Sequence, residues 1–272
     1  MKIAILGSTG LIGNRLTQRL NSKYTVIPIS RKELDLSKEF INEGILQQSS
    51  LLVFCAQSSD KRDENIGKTL EEYYRENGKI IEEIDKHCHS IRHIIFLSTG
   101  GLYEKSSNPV VETSKLKSVE MMDRYFTAKF ETEKYLNQIV DKRGITILRL
   151  FSVYGKESKP NRLFPKLQHA ILNEKAIRIS NNGGDFLRPT NVEDVVNSIE
   201  VIIDKSVVGT FNIAGPTIMN MRSIILKMSD NLNGKAHILE TDIDPIYIAP
   251  EIDLMQQKIF SPRYEFDGNW QI

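Results

Sequence analysis

Three glycines at spacings of three, Gly7, Gly10 and Gly13, mark a change of pattern at the start of the chain. Before them, Ile3, Ala4, Ile5 and Leu6 form an apolar run that reads as a strand buried on both faces. After them, Leu11, Ile12, Leu16 and Leu20 recur at helical intervals. Buried strand, glycine turn and helix together make a phosphate cradle. Gly7 permits the tight turn, Gly10 lets the main chain approach a pyrophosphate, and Gly13 lets the helix pack close on the strand. The helix N-terminus then offers N–H groups and a positive dipole end to an anion. Gly7, Ser8, Thr9, Gly10, Leu11, Ile12 and Gly13 are therefore the candidate dinucleotide-binding turn, in the strand-to-helix context that the motif requires. A chain of 272 residues built from this unit is expected to fold as an α/β doubly wound parallel sheet, the Rossmann arrangement, with a smaller appendage.

Val26–Ile29 reads as the second strand, ending at Ser30, Arg31 and Lys32. NAD-binding versions of this arrangement carry Asp or Glu near that point to hold the ribose 2′-hydroxyl. Here a hydroxyl and two cations stand there instead. An arginine clamps a 2′-phosphate, so Ser30 and Arg31 favour NADP(H), with NAD(H) possible. Asp35 and Leu36 follow closely enough to lie near the adenine. Leu51–Cys55 is a further buried strand, and Cys55, Ala56 and Gln57 at its end are placed along the cofactor.

A helix is expected from about Leu70 to His87, leading into a strand over Ile91–Leu97. His87, Cys88, His89 and His93 straddle that junction. Cations at a helix C-terminus have a simpler reason to be there than a metal, and no metal site is assigned.

The strand opens into Ser98, Thr99, Gly100 and Gly101, a hydroxyl pair with glycines that give a substrate room. Chemistry in such sheets collects at the carboxyl ends of strands, although this stretch alone also fits a plain turn. Tyr125, Lys129 and Glu133 stand four apart, and in a helix they share one face. A cation near a phenol favours the phenolate, which suits Tyr125 to exchange a proton with a substrate oxygen.

With 36 Lys and Arg against 35 acidic residues, the net charge of +1 gives no basic surface for nucleic acid. The first residues enter a strand with no leader pattern, and no apolar run approaches membrane-spanning length, so a cytoplasmic protein is expected. Two cysteines make no disulfide framework.

Taken in order, these motifs resemble the extended short-chain dehydrogenase/reductase family, the NAD(P)-dependent nucleotide-sugar epimerases, dehydratases and reductases. The resemblance rests on the glycine turn, on Ser98-Thr-x-x-Leu-Tyr103 and on Tyr125-x-x-x-Lys129-x-x-x-Glu133. It continues through Leu148-Arg-Leu-Phe-Ser-Val-Tyr-Gly155, Val192-Glu-Asp-Val195 and Gly209-Thr-Phe-Asn-Ile-Ala214. It implies that Tyr125 is the acid/base, that Lys129 binds the nicotinamide ribose and tunes Tyr125, and that Thr99 holds the reacting oxygen. Gly100, Gly101, Ser152 and Arg188 are the implied substrate-binding positions. The chain departs from the family in having Ser152 where asparagine is common, and Phe186-Leu-Arg-Pro-Thr-Asn191 before Val192. Gly100 and Gly101 replace the Asp-Glu pair of the dehydratases, so water elimination is not expected.

The resulting expectation is an NADPH-dependent reductase of a 4-keto (deoxy)hexose nucleotide sugar. The alternatives are an NAD-dependent nucleotide-sugar 4-epimerase and a non-catalytic NADP(H)-binding regulatory protein. Residues 1–154, with 186–215 returning, are assigned to the dinucleotide domain, and 155–185 with 216–272 to the substrate lobe. The resemblance also implies a homodimer, and Trp270 is left as a packing anchor or a dimer contact.

Overall fold

The computed structural model describes residues 1–34, 43–56 and 69–271. The expected cofactor positions Asp35, Leu36 and Gln57 lie outside the described residues. The chain opens with β1 (Lys2–Leu6), α1 (Leu11–Leu20), β2 (Thr25–Ile29), α2 (Glu43–Gln47) and β3 (Leu51–Phe54). Then come α3 (Leu70–Asn77), α4 (Ile80–His87), β4 (His93–Thr99), α5 (Arg124–Gln138) and β5 (Gly144–Leu150). Short elements follow: β6 (Val153–Tyr154), α6 (Leu163–Leu172), β7 (Ala176–Ile179), β8 (Phe186–Leu187) and β9 (Thr190–Asn191). The rest comprises α7 (Val192–Lys205), β10 (Gly209–Ile213), β11 (Met219–Asn220), α8 (Met221–Asn231), β12 (His237–Glu240), β13 (Tyr247–Ile248) and α9 (Asp253–Lys258).

Residues 1–102, 116–149 and 199–211 form one compact unit. Its sheet runs in the order β10-β5-β4-β3-β1-β2, with β1 parallel to both β2 and β3, and β3 parallel to β4. All four residues of β3 are buried, as its unbroken apolar run requires of a strand covered on both faces. Phe54 and Phe96 pack at 5.5 Å between ring centres inside a core completed by Leu52, Ile81, Ile84, Leu136 and Ile147. Each such side chain contributes about 1.5–3 kcal/mol on burial.

The single helix expected over 70–87 is two helices. Gly78 ends α3, and a Cβ there would stand 2.3 Å from the Tyr74 ring and 2.6 Å from Thr132 Oγ1. The N–H groups of Gly78 and Lys79 both turn back to Tyr74 O, which closes the first helix before α4 starts.

Residues 103–115, 150–198 and 212–272 form a second compact unit. Main-chain pairing joins its segments. Tyr247 N–H donates to Ser106 O and Val110 N–H to Ala249 O, so the segment after Tyr103 belongs with the C-terminal region. Phe151 N–H donates to Ile213 O, and β6 pairs with β9. The core of this unit holds Tyr154, Phe164, Phe266 and Trp270, with the first three rings 5.1–5.3 Å apart. Trp270 is buried there and acts as a packing anchor. Among the described residues no helix is long and apolar enough to cross a membrane.

Candidate active site and cofactor cradle

The cradle sits where the sheet order reverses, between β1 and β3, at the carboxyl ends of both strands. Gly7 has φ +89°, and a Cβ there would lie 2.7 Å from the Ala56 main chain. A Cβ on Gly13 would meet Gly7 O at 2.2 Å, so α1 packs against the turn only with glycine at that place. Gly10 differs: its φ is an ordinary −79°, and the nearest atom to an added Cβ is 3.4 Å away. The protein itself does not demand a glycine there. Gly10 also caps α1 without any side-chain oxygen, leaving the first-turn N–H groups of Leu11, Ile12 and Gly13 to an external anion. These features fit a dinucleotide.

At the end of β2, Arg31 and Lys32 are exposed. The acidic residue sought there is present three positions on. Glu33 accepts from Ser30 N–H at 2.8 Å and from Ser30 Oγ at 2.6 Å. These bonds hold its carboxyl below the ordinary carboxylate range. Because the bond to Ser30 comes from a turn, a search confined to the strand end passes over Glu33.

Cys55 follows β3, with its N–H on Leu6 O at 2.9 Å. Burial pushes its thiol up to about 12, opposed by the nearby Lys129 cation. A thiol held protonated by burial is a poor nucleophile.

Thr99, Tyr125 and Lys129 stand on two elements of the first unit. β4 ends at Thr99, and a tight 3-10 turn over Gly100–Leu102 follows, its Gly101 N–H donating to Thr99 Oγ1 at 3.1 Å. That bond uses an acceptor site of the hydroxyl and leaves its hydrogen to donate. α5 starts at the N-cap Asp123, whose carboxylate accepts from Phe126 N–H at 2.9 Å. Tyr125 and Lys129 follow one turn apart on one face. Lys129 Nζ donates to Leu97 O at 2.7 Å and lies 4.6 Å from the centre of the Phe96 ring.

The two expected hydroxyls separate. Ser98 Oγ donates to buried Glu133, while Thr99 alone stays at the turn. Glu133 shares the face of Lys129 but is occupied inside the fold with Arg149. Lys117, not anticipated from the sequence, donates to Gly101 O at 2.7 Å and lies 4.8 Å from the centre of the Phe126 ring. That ring also fills the space beside Gly101, where a Cβ would meet it at 2.3 Å.

In the second unit, Ser152 has φ +42°, the left-handed region that asparagine adopts more readily than serine. Its carbonyl accepts from Thr190 N–H at 3.1 Å. Arg188, an expected substrate contact, is buried and donates to Gly215 O, Pro216 O and Pro250 O at 2.7–2.8 Å. These three bonds turn its guanidinium to backbone carbonyls, which speaks against the substrate contact that the resemblance implies for it. Among the described residues no cluster of three or more His, Cys, Asp or Glu could hold a metal. His93 instead pairs with Thr146 at 2.7 Å.

The family described as NAD dependent epimerase/dehydratase matches residues 3–214. The chain is 26% identical over 273 residues to the uncharacterized UDP-glucose epimerase YtcB of Bacillus subtilis (strain 168), covering 89% of this chain and 85% of that protein. Among solved structures it is similar to a variant of UDP-glucuronic acid 4-epimerase from Bacillus cereus, in complex with UDP-4-deoxy-4-fluoro-glucuronic acid and NAD. The identity is 20% and the TM-score 0.81, over 98% of this chain and 96% of that one. It is also similar to a UDP-N-acetylglucosamine 4-epimerase from Methanobrevibacter ruminantium in complex with UDP-N-acetylmuramic acid. There the identity is 19% and the TM-score 0.80, over 96% of this chain and 93% of that one. At these identities the structures speak for the fold, an α/β doubly wound sheet.

Proposed function

This chain belongs to the NAD dependent epimerase/dehydratase family, and from that premise we propose that it is a nucleotide-sugar 4-epimerase that works with NAD. The observation that carries the reading is Lys129, one turn beyond Tyr125 and bonded to the strand that ends in Thr99. NAD, when bound, supplies reversible oxidation at the sugar carbon to be inverted. Tyr125 takes the proton from the hydroxyl on that carbon and returns it after the sugar has turned over. Thr99 donates to the same oxygen and holds it in line, and Lys129 keeps positive charge beside the phenol. The α1 N-terminus and the glycine turn would hold the pyrophosphate.

Two features support epimerisation over its neighbours in the family. Gly100 and Gly101 carry no acid or base for eliminating water, and the Phe126 ring occupies the side-chain space at Gly101. Glu33 puts a carboxylate at the end of β2, where a 2′-phosphate would be repelled. NAD(H) therefore replaces the NADP(H) expected from Arg31, and with it the keto-sugar reductase reading loses its main support.

The test is to incubate the purified protein with UDP-glucose, UDP-N-acetylglucosamine and UDP-glucuronic acid and follow C4 epimers by proton NMR. NAD carried by the protein is measured in parallel. Epimer formation that falls about 10²-fold or more in Tyr125→Phe, with NAD still bound, is the expected result. No epimer, together with NADPH-driven reduction of a 4-keto sugar nucleotide, would overturn the proposal and reinstate the reductase.

A further inference from the structure

Glu133 and Arg149 are a charged pair where a helix and a strand normally meet through apolar side chains, with side-chain exposures of only 3% and 8%. Burying two charges offers little net stability over well-packed apolar residues, so the pair calls for another reason. Its geometry supplies one. Arg149 Nη2 donates to Glu133 Oε2 at 2.7 Å, and Arg149 Nε lies 3.2 Å from both carboxylate oxygens. Ser98 Oγ donates to Oε1 of the same carboxylate. One carboxylate thus joins α5, β4 and β5 inside the first unit.

The neighbours of these residues are the chemical ones. Ser98 directly precedes Thr99. Glu133 stands one turn beyond Lys129 and two beyond Tyr125 on one helix face. The rest of the buried face of α5 is Thr127, Ala128, Thr132 and Leu136, mostly small residues with little shape to resist sliding. A forked Arg–carboxylate pair is directional where such packing is not.

We infer that the Glu133–Arg149–Ser98 cluster is a positioning clamp, setting the height and rotation of α5 so that Tyr125 and Lys129 keep their places relative to Thr99. The inference rests on the reading of Tyr125 and Thr99 as the reacting pair.

The double variant Glu133→Met/Arg149→Met tests it, because both charges go together and neither is left buried alone. Crystal structures of wild type and variant are compared alongside kinetics and thermal unfolding. The clamp predicts a folded variant with α5 displaced from β4 by more than about 0.5 Å. It also predicts kcat lowered about 10²-fold with KM nearly unchanged. An undisplaced α5, or an undiminished kcat, overturns it. Should the double variant fail to fold, Ser98→Ala removes one bond and no charge. A kcat loss of about tenfold with unchanged thermal stability then supports the clamp, and wild-type kcat overturns it. If the wild-type protein turns over no nucleotide sugar, the proposed reaction falls, and the crystallographic position of α5 alone decides the clamp.

Discussion

Lys129 reaches from α5 to the Leu97 carbonyl across 2.7 Å, pinning the helix cation to the strand two residues before Thr99. The contact ties the helix that carries Tyr125 and Lys129 to the strand that ends in Thr99.

Lys129→Met keeps most of the apolar stem and removes the charge and the bond to Leu97. Epimer formation is expected to fall about 10²-fold or more, with NAD affinity also weakened and thermal stability within a few degrees of wild type. Steady-state kinetics and NAD titration check this. Wild-type kcat in Lys129→Met would remove the residue from the mechanism.

Gly10→Ser separates cofactor binding from folding. Serine is a good helix N-cap, and the site leaves 3.4 Å to the nearest atom, so stability should change by less than about 1 kcal/mol. The added Cβ occupies the space where a pyrophosphate would approach, so NAD binding should weaken at least about tenfold. Gly13→Ala, which drives a Cβ to 2.2 Å from Gly7 O, should lose stability by about 1–3 kcal/mol as well as binding. Urea unfolding and calorimetric titration distinguish the two.

Ser152 holds a left-handed backbone at φ +42°. Ser152→Asn is expected to raise stability by about 0.5–1 kcal/mol, because asparagine adopts that conformation at lower cost. Ser152→Val should lower it by about 1–2 kcal/mol, since a β-branched residue suffers the clash most. Denaturant midpoints of the three proteins give the order Asn, Ser, Val.

His93 predicts a pH dependence. Thr146 Oγ1 donates to Val207 O at 2.6 Å, so His93 Nε2 must donate its own hydrogen to Thr146 across 2.7 Å. Burial holds the imidazole below its ordinary range. The folded state therefore binds fewer protons than the unfolded state once the pH drops under about 6.5. Stability from this group is complete above that value and declines as pH falls towards the folded pKa. His93→Gln, which keeps a donor for Thr146, should flatten the decline between about pH 7 and 5 in urea midpoints. An unchanged profile would assign the acid loss to other groups.

Much of the site was legible from local pattern. The strand–glycine–helix unit and the continuous apolar run at Leu51–Phe54 are short-range consequences of periodicity and glycine geometry. Tyr125 and Lys129 could be paired because a helix brings residues four apart onto one face. The partner of a side chain is another matter. Arg188 looks like a substrate contact in a list of residues, yet three carbonyls from remote loops claim it. Ser98 and Thr99 look like a pair, yet strand alternation sends one to Glu133 and leaves the other at the turn. Glu33 is not legible from the strand end because a turn, not the strand, carries it back to Ser30.

The sequence by itself determined the doubly wound sheet, its glycine cradle and the helix that carries Tyr125, because each follows from periodicity within a few turns of chain. Only the tertiary structure decided which charges are buried and paired, that helix 70–87 breaks at Gly78, and that the cation of Lys129 ends beside the strand leading to Thr99. Those outcomes depend on groups tens of residues apart, whose hydrogen bonds and steric contacts exist only once the strands have found their neighbours.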